Sequence, residues 1–132
     1  MRPLEEQEQK TVVKWLKLKN ILHFAPMNEN KQSSSNRLQA MKIEAKAKAM
    51  GKSSGVPDLV ICEPNKYYHG LYIELKRKPK ILKSGKESYS GIKISNTQEK
   101  WHKELRDRNY ECVVCYGAKQ AINLIIEYME NK

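Results

Sequence analysis

Two carboxylates and a lysine are spaced so that a pair of apolar strands would bring them together. In the stretch GVPDLVICEPNKYYHGLYIELK, residues 55–76, Leu59-Val60-Ile61-Cys62 and Leu71-Tyr72-Ile73-Glu74-Leu75-Lys76 read as strands. Pro64-Asn65 and Gly70 punctuate them, which predicts an antiparallel hairpin with a loop of several residues. Side chains alternate along a strand, so Leu71, Ile73 and Leu75 share one face and Tyr72, Glu74 and Lys76 the other. A hairpin centred near Lys66-Tyr67 sets Asp58 opposite Leu75 to within a residue, beside Glu74 and Lys76. Such a cluster is either an ion-pair network or a metal site. One ammonium neutralises only one of two carboxylates, and two close carboxylates resist joint ionisation unless a cation intervenes. Hard oxygen ligands in modest number suit Mg²⁺ or Mn²⁺, which take one or two carboxylates together with phosphate oxygens. The chemistry this points to is a metal acting on a phosphodiester.

Pro57-Asp58, a strand-length gap and then Glu74-Leu75-Lys76 resemble the PD-(D/E)XK nuclease motif. The fuller strings Gly55-Val56-Pro57-Asp58 and Ile73-Glu74-Leu75-Lys76-Arg77 resemble its VRR-NUC (virus-type replication-repair nuclease) branch, and the likeness extends over nearly the whole chain. The resemblance implies an α/β fold, a restriction-endonuclease-like αβ sandwich with a small mixed sheet (core of αβββαβ type) flanked by helices. It implies a divalent-metal-dependent DNA endonuclease in which Asp58, Glu74 and the backbone carbonyl of Leu75 bind Mg²⁺ or Mn²⁺ and Lys76 orients the attacking water. Glu5-x-x-x-Gln9 ahead of an apolar run resembles the first-helix signature whose glutamate completes the metal site, with Glu8 as the alternative if the register differs. Ser95-x-x-Gln98 ahead of Trp101 resembles the pattern in which that glutamine faces the site. Pro26-Met27-Asn28 and Arg37 approximate a Pro-Asn element followed by a basic residue. On the same ground Gln9, Asn28 and Arg37 are candidate DNA contacts. Stand-alone relatives, many from phages and related to Holliday-junction resolvases, imply branched DNA as substrate, a homodimer, and a cytoplasmic phage or prophage protein in a bacterial host. Two alternatives stay open: a general metal-dependent nuclease on duplex DNA or RNA, and a non-catalytic nucleic-acid-binding module.

The elements that must position these residues follow from periodicity and punctuation. The 132 residues suit one nuclease domain, 1–132, with one core. Lys and Arg total 25 against 15 Asp and Glu, a net charge of +10, which favours a polyanionic partner because each cation placed on a phosphate releases counterions. No stretch approaches the roughly 20 apolar residues of a membrane span, and the first residues carry no apolar signal core. Residues 4 to about 20 read as a helix with acids in its first turn and lysines in its last. Gln9, Val12, Val13 and Leu16 lie along one side of it, with Glu5 one turn earlier. Residues 21–36 read as a connection with an apolar touch at Leu22 and Phe24. Residues 36–50 read as a helix capped by Ser35 or Asn36 and ended by Gly51, with Leu38, Met41, Ala45 and Ala49 toward the core.

After Lys76 come Pro79, Gly85, Ser88 and Gly91, which predict a mobile loop over about 77–94 rather than an ordered element. Its Arg77, Lys78, Lys80, Lys83 and Lys86 are placed to clasp nucleic acid, with Tyr89 as a stacking group. A helix follows from Ser95 or Asn96 to about Arg108, with Trp101 and Leu105 as its apolar stripe. Next come a strand over 110–116 and a last helix with Ile122, Ile125, Ile126 and Met129 inward. The order is α-α-β-β-α-β-α. Cys112 and Cys115 read as core thiols, because positions three apart on a strand point to opposite faces and no second Cys or His pair stands nearby. His23, His69 and His102 fall on a loop, a hairpin and a helix, so no histidine is expected among the chemical groups.

Overall fold

Leu71, Ile73 and Leu75 form one wholly apolar face of a strand, and such a face must be covered by another layer. The computed structural model describes residues 3–26 and 36–132. In chain order they form α1 (Pro3–Leu18), β1 (His23–Phe24), α2 (Arg37–Ala49), β2 (Leu59–Ile61), β3 (Leu71–Lys76), β4 (Lys80–Ile81), β5 (Glu87–Ser88), α3 (Asn96–Asp107), β6 (Glu111–Tyr116) and α4 (Ala118–Glu130). The main sheet has the order β1-β2-β3-β6. β2 pairs antiparallel with β3, Leu59 opposite Ile73, and β6 pairs parallel with β3, Leu75 opposite Cys115. The sheet is therefore mixed, and an α/β sandwich results.

Helices α1 and α4 cover the Leu71, Ile73 and Leu75 face. Val12 and Leu16 from α1 and Ala121 and Ile125 from α4 are fully buried in one cluster with those three residues. Each completely buried Leu or Ile is worth roughly 1.5–3 kcal/mol relative to an exposed one, so this layer is a large contributor to the fold's stability. Helix α1 fits it because Glu5, Gln9, Val12 and Leu16 recur at helical spacing and form a single stripe. Cys115 joins this core, while Cys112 lies on the opposite face of β6 near Arg106 and Glu74, as strand alternation requires. Burial pushes both thiols up to about 12, so both stay protonated and unreactive near neutrality.

The parallel pairing of β3 with β6 demands a long crossover. Helix α3 lies on that crossover, packs against β6 and meets the Glu74 face of the sheet. Ser95 caps α3 through a capping box in which its hydroxyl accepts from Gln98 N and Gln98 Oε1 accepts from Ser95 N.

Four expectations change. Residues 21–26 are more than a connection: His23 and Phe24 add an edge strand, His23 opposite Ile61, because Cys62 N also donates to Leu22 O at 2.9 Å and draws the segment onto β2. Helix α2 is capped by Asn36 and followed by Gly51 at φ 89°, as its sequence signals, yet it has no buried residue. Leu38 and Met41 are 61% and 57% exposed, and Ala45 and Ala49 are exposed as well, because α2 lies outside the α1–α4 core. The 77–94 segment contains the antiparallel hairpin β4–β5, closed by Leu82 N to Lys86 O at 2.8 Å and anchored by Ile92, 1% exposed. On α4, Ile125 is buried as expected, but Ile126 is 44% exposed because its neighbour takes the core-facing position.

Candidate active site

Asp58 sits one residue before β2, where the ladder departs from regularity. Its N–H donates to Ile73 O at 3.0 Å. Its carboxylate Oδ2 then accepts from Leu75 N at 2.7 Å, so a side chain satisfies a backbone donor of β3. Continuing the β2–β3 register by one residue sets Asp58 across from Glu74. The two carboxyls hydrogen-bond with each other, which requires a shared proton. Burial, then the Glu74 charge and that hydrogen bond, raise Asp58 to about 8. The Leu75 N–H and the Lys76 ammonium pull in the opposite direction and are outweighed.

Glu74, 2% exposed, is gripped from α3. Gln98 Nε2 donates to Glu74 Oε2 at 3.2 Å, and His102 Nε2 approaches Glu74 Oε1 at 3.4 Å. Both contacts come from one side of α3, because positions 98 and 102 are one helical turn apart. Gln98 performs two tasks: its oxygen completes the capping box and its amide holds the carboxylate. His102 is wholly buried. Burial first, then the Arg106 and Lys76 charges, lower its pKa, so the ring is neutral at physiological pH. As a neutral donor through Nε2, it leaves Nδ1 as a buried acceptor with no partner among the described residues. Local sequence rules assign no histidine here; the Gln98-x-x-x-His102 spacing is the signal available for it.

Lys76 extends from the same face of β3 as Glu74 and is half-buried. Its charge acts on both Asp58 and His102, which places the ammonium in the same electrostatic field. From α1, Gln9 Nε2 reaches Asp58 O at 3.4 Å, and Gln9 Oε1 is buried with no partner among the described residues. Glu5, 8% exposed, lies one turn earlier on the same stripe. No group of three His, Cys, Asp or Glu side chains forms a metal-holding cluster among the described residues, so Asp58 and Glu74 are a pair that Glu5 does not close into a cage. Glu8 is committed elsewhere: its Oε2 accepts from Ala118 N.

That last contact carries a prediction. The N-cap of α4 is Gly117, which has no side chain to cap with, and Glu8 supplies the missing acceptor from another helix. Glu8→Ala is expected to lower stability by about 1–2 kcal/mol in urea unfolding. Glu8→Gln, which keeps an acceptor, should recover part of the loss. Equal stability of all three proteins would show that this cap contributes nothing.

The remaining candidates are dispersed. Arg77 donates to Lys78 O at 3.1 Å and Ser90 O at 3.2 Å, bracing the base of the β4–β5 hairpin. Lys78, Lys80, Lys83 and Lys86 are exposed on or beside the hairpin, and Arg37 is exposed at the start of α2. Tyr89 stacks edge-to-face on Tyr116, centroids 5.0 Å apart, so part of its ring already has a partner. Asn28 lies outside the described residues.

Residues 4–119 match the VRR-NUC domain. The chain belongs to the VRR-NUC family. This domain is a member of the PD-(D/E)XK nuclease superfamily, and the protein is thereby a nuclease-domain protein whose class acts on DNA. A solved structure described as a "VRR_NUC domain protein" superposes with a TM-score of 0.67 at 25% identity, covering 99% of this chain and 92% of that one. No curated protein matches the chain. Among the described residues, no helix is long and apolar enough to cross a membrane.

Proposed function

We propose that this VRR-NUC domain protein is a divalent-metal-dependent endonuclease that hydrolyses DNA phosphodiester bonds, with Asp58, Glu74 and Lys76 at its centre. The observation that carries this reading is the pairing of the Asp58 and Glu74 carboxyls across the β2–β3 register, Asp58 held by the Leu75 N–H and Glu74 by Gln98 and His102. A buried carboxyl pair of this kind is unfavourable in isolation and fits a hard cation that replaces the proton. The unpartnered buried Gln9 Oε1 supports the same fit. Asp58, Glu74 and the Leu75 carbonyl would hold Mg²⁺ or Mn²⁺, with Glu5 joining through its waters, and the ion would polarise the phosphoryl group and lower the pKa of a water.

The chain's own groups divide the remaining work. Gln98 and neutral His102 fix both oxygens of Glu74, so its carboxylate does not have to reorganise as charge develops. The Leu75 N–H does the same for Asp58. Lys76 orients the nucleophile and stabilises the charge building on the phosphate. Lys78, Lys80, Lys83 and Lys86 on and beside the hairpin that leaves β3 contact the DNA backbone, and the net charge of +10 supports a polyanionic substrate. Gln9, which reaches Asp58 O, and Arg77, directly after Lys76, contribute contacts beside the site, and Arg37 at the start of α2 adds one away from it.

Branched DNA is the substrate we assign, cut by a homodimer whose two sites are related by a two-fold axis. Among the described residues β1 is an edge strand, and with the exposed Leu18, Leu22 and Phe24 around it forms a surface that a second copy would cover. The test is cleavage of a four-way junction beside matched linear duplex and single strand, in Mg²⁺, Mn²⁺ or EDTA, with the solution mass measured in parallel. Symmetric nicks confined to the junction, lost in EDTA, are expected. Metal-dependent cutting of all three substrates would make the protein a general nuclease. Binding without cutting under every condition would make it a binding module.

A further inference from the structure

A groove of about 690 Å³ opens between the end of α2, the turn that follows it and α3. Of the described residues that line it, Lys48, Lys52, Lys100 and Arg108 are cationic, Glu104 is the lone acid, and Trp101 is its aromatic. Trp101 is half-buried and lines the groove.

Both walls continue in the chain into residues of the active site. On α3, Trp101 and Arg108 lie about a quarter-turn around the helix from Gln98 and His102, Glu104 and Lys100 lie further round toward the far side, and a helix is only about 10 Å across. The other wall, the 51–55 turn, runs directly into Pro57 and Asp58. That turn is pressed onto α3: a Cβ on Gly55, at φ +86°, would stand 2.7 Å from Thr97 Cγ2 and 2.9 Å from Thr97 C. Only glycine fits there, and the close approach sets the groove and the Asp58 carboxylate in one fixed relation.

We infer that this groove binds single-stranded DNA flanking the scissile phosphate, with an unpaired base stacked on Trp101 and its phosphates on Lys52 and Lys100. The inference rests on the nuclease reading of the Asp58–Glu74 pair and adds to it what the protein recognises beside the cut. A cavity of this volume accommodates a base and its sugar, and unpaired bases are held by just this pairing of an aromatic surface with flanking cations. A continuous duplex keeps its bases stacked inside and offers none to Trp101. The groove therefore favours substrates with an unpaired segment next to the cleavage point, such as flaps, forks or opened junction arms.

The test is binding in EDTA, where no cutting interferes, using oligothymidine and a blunt duplex of equal length. In a Trp15→Phe background, oligothymidine is expected to quench the remaining Trp101 fluorescence and the duplex is not. Lys52→Ala/Lys100→Ala should weaken oligothymidine binding about tenfold and lower its salt slope by about 1.4, the value for two phosphate contacts on a single strand. The same double variant should change duplex affinity less than twofold. Lys19→Ala/Lys66→Ala, which removes equal charge elsewhere, should leave oligothymidine binding within twofold. Absence of quenching, or equal weakening of both ligands or by both double variants, overturns the inference. If the wild type cuts no DNA with any divalent ion while quenching and selective weakening appear, the nuclease reading falls and the single-strand site stands.

Discussion

Lys76→Ala is expected to fold like the wild type and to cut DNA at least a hundredfold more slowly, with the loss in kcat rather than in binding. Lys76 is half-buried on the sheet face that carries Glu74, and its ammonium acts on Asp58. A preorganised charge aimed at a phosphate that gains charge in the transition state typically supplies about 10²–10³ in rate. Its removal eliminates no core contact, so the thermal midpoint should shift little. Lys76→Arg is an informative companion. Arginine keeps the charge but presents a planar fork in place of a compact ammonium, and it cannot give up a proton, so rescue should be poor. Single-turnover cleavage at saturating DNA separates these outcomes. Full activity in Lys76→Ala would remove this residue from the chemistry and leave the resemblance of the motif without function.

The second large effect is on stability. In the metal-free protein Asp58 holds its proton up to about pH 8, whereas in the unfolded chain it releases it near 3.8. A raised folded pKa stabilises the fold fully below the unfolded value, and that contribution is lost as pH rises toward the folded value. Wild-type stability in EDTA should therefore fall between about pH 4 and pH 8, with a limiting slope of about 1.4 kcal/mol per pH unit. Asp58→Asn cannot titrate, yet its amide oxygen can still accept from Leu75 N and its NH₂ can donate to Glu74. Urea midpoints measured at pH 5, 6.5 and 8 should decline for the wild type and stay nearly level for the variant, which becomes the more stable protein at pH 8. The variant should also be inactive, because stability and activity draw on the same carboxyl pair. Added Mg²⁺ should narrow the gap at pH 8 for the wild type alone, since a ligand that binds only the folded state stabilises it. Parallel pH profiles for the two proteins would rule out the shared proton.

The residues that carry chemistry were legible because their spacing obeys local rules. Strand alternation placed Glu74 and Lys76 on one face and Cys112 and Cys115 on opposite faces, and the turn signals brought Asp58 to within a residue of its partner. Capping chemistry narrowed the starts of α2 and α3 to Ser35 or Asn36 and to Ser95 or Asn96, of which Asn36 and Ser95 are the caps. These features depend on neighbours in sequence, so one chain contains them.

What remained hidden depended on partners distant in sequence. His102 looked like one more polar helix residue until the crossover laid α3 against β3 and brought its ring to Glu74, 28 positions away. Glu8 looked like a spare site carboxylate until α4 offered an uncapped N-terminus 110 positions away. Leu38 and Met41 have core-type side chains at helical spacing, but periodicity describes a face and not what lies opposite it, and α2 packs outside the core. The hairpin within 77–94 escaped notice because its ordering comes from Ile92 and Tyr89 docking on the body of the protein, while its Gly and Ser content signals only turns. Sequence by itself determined which groups stand on which face of each element. Tertiary structure decided which faces meet, because that choice minimises exposed apolar area over the whole chain, a quantity no local window contains.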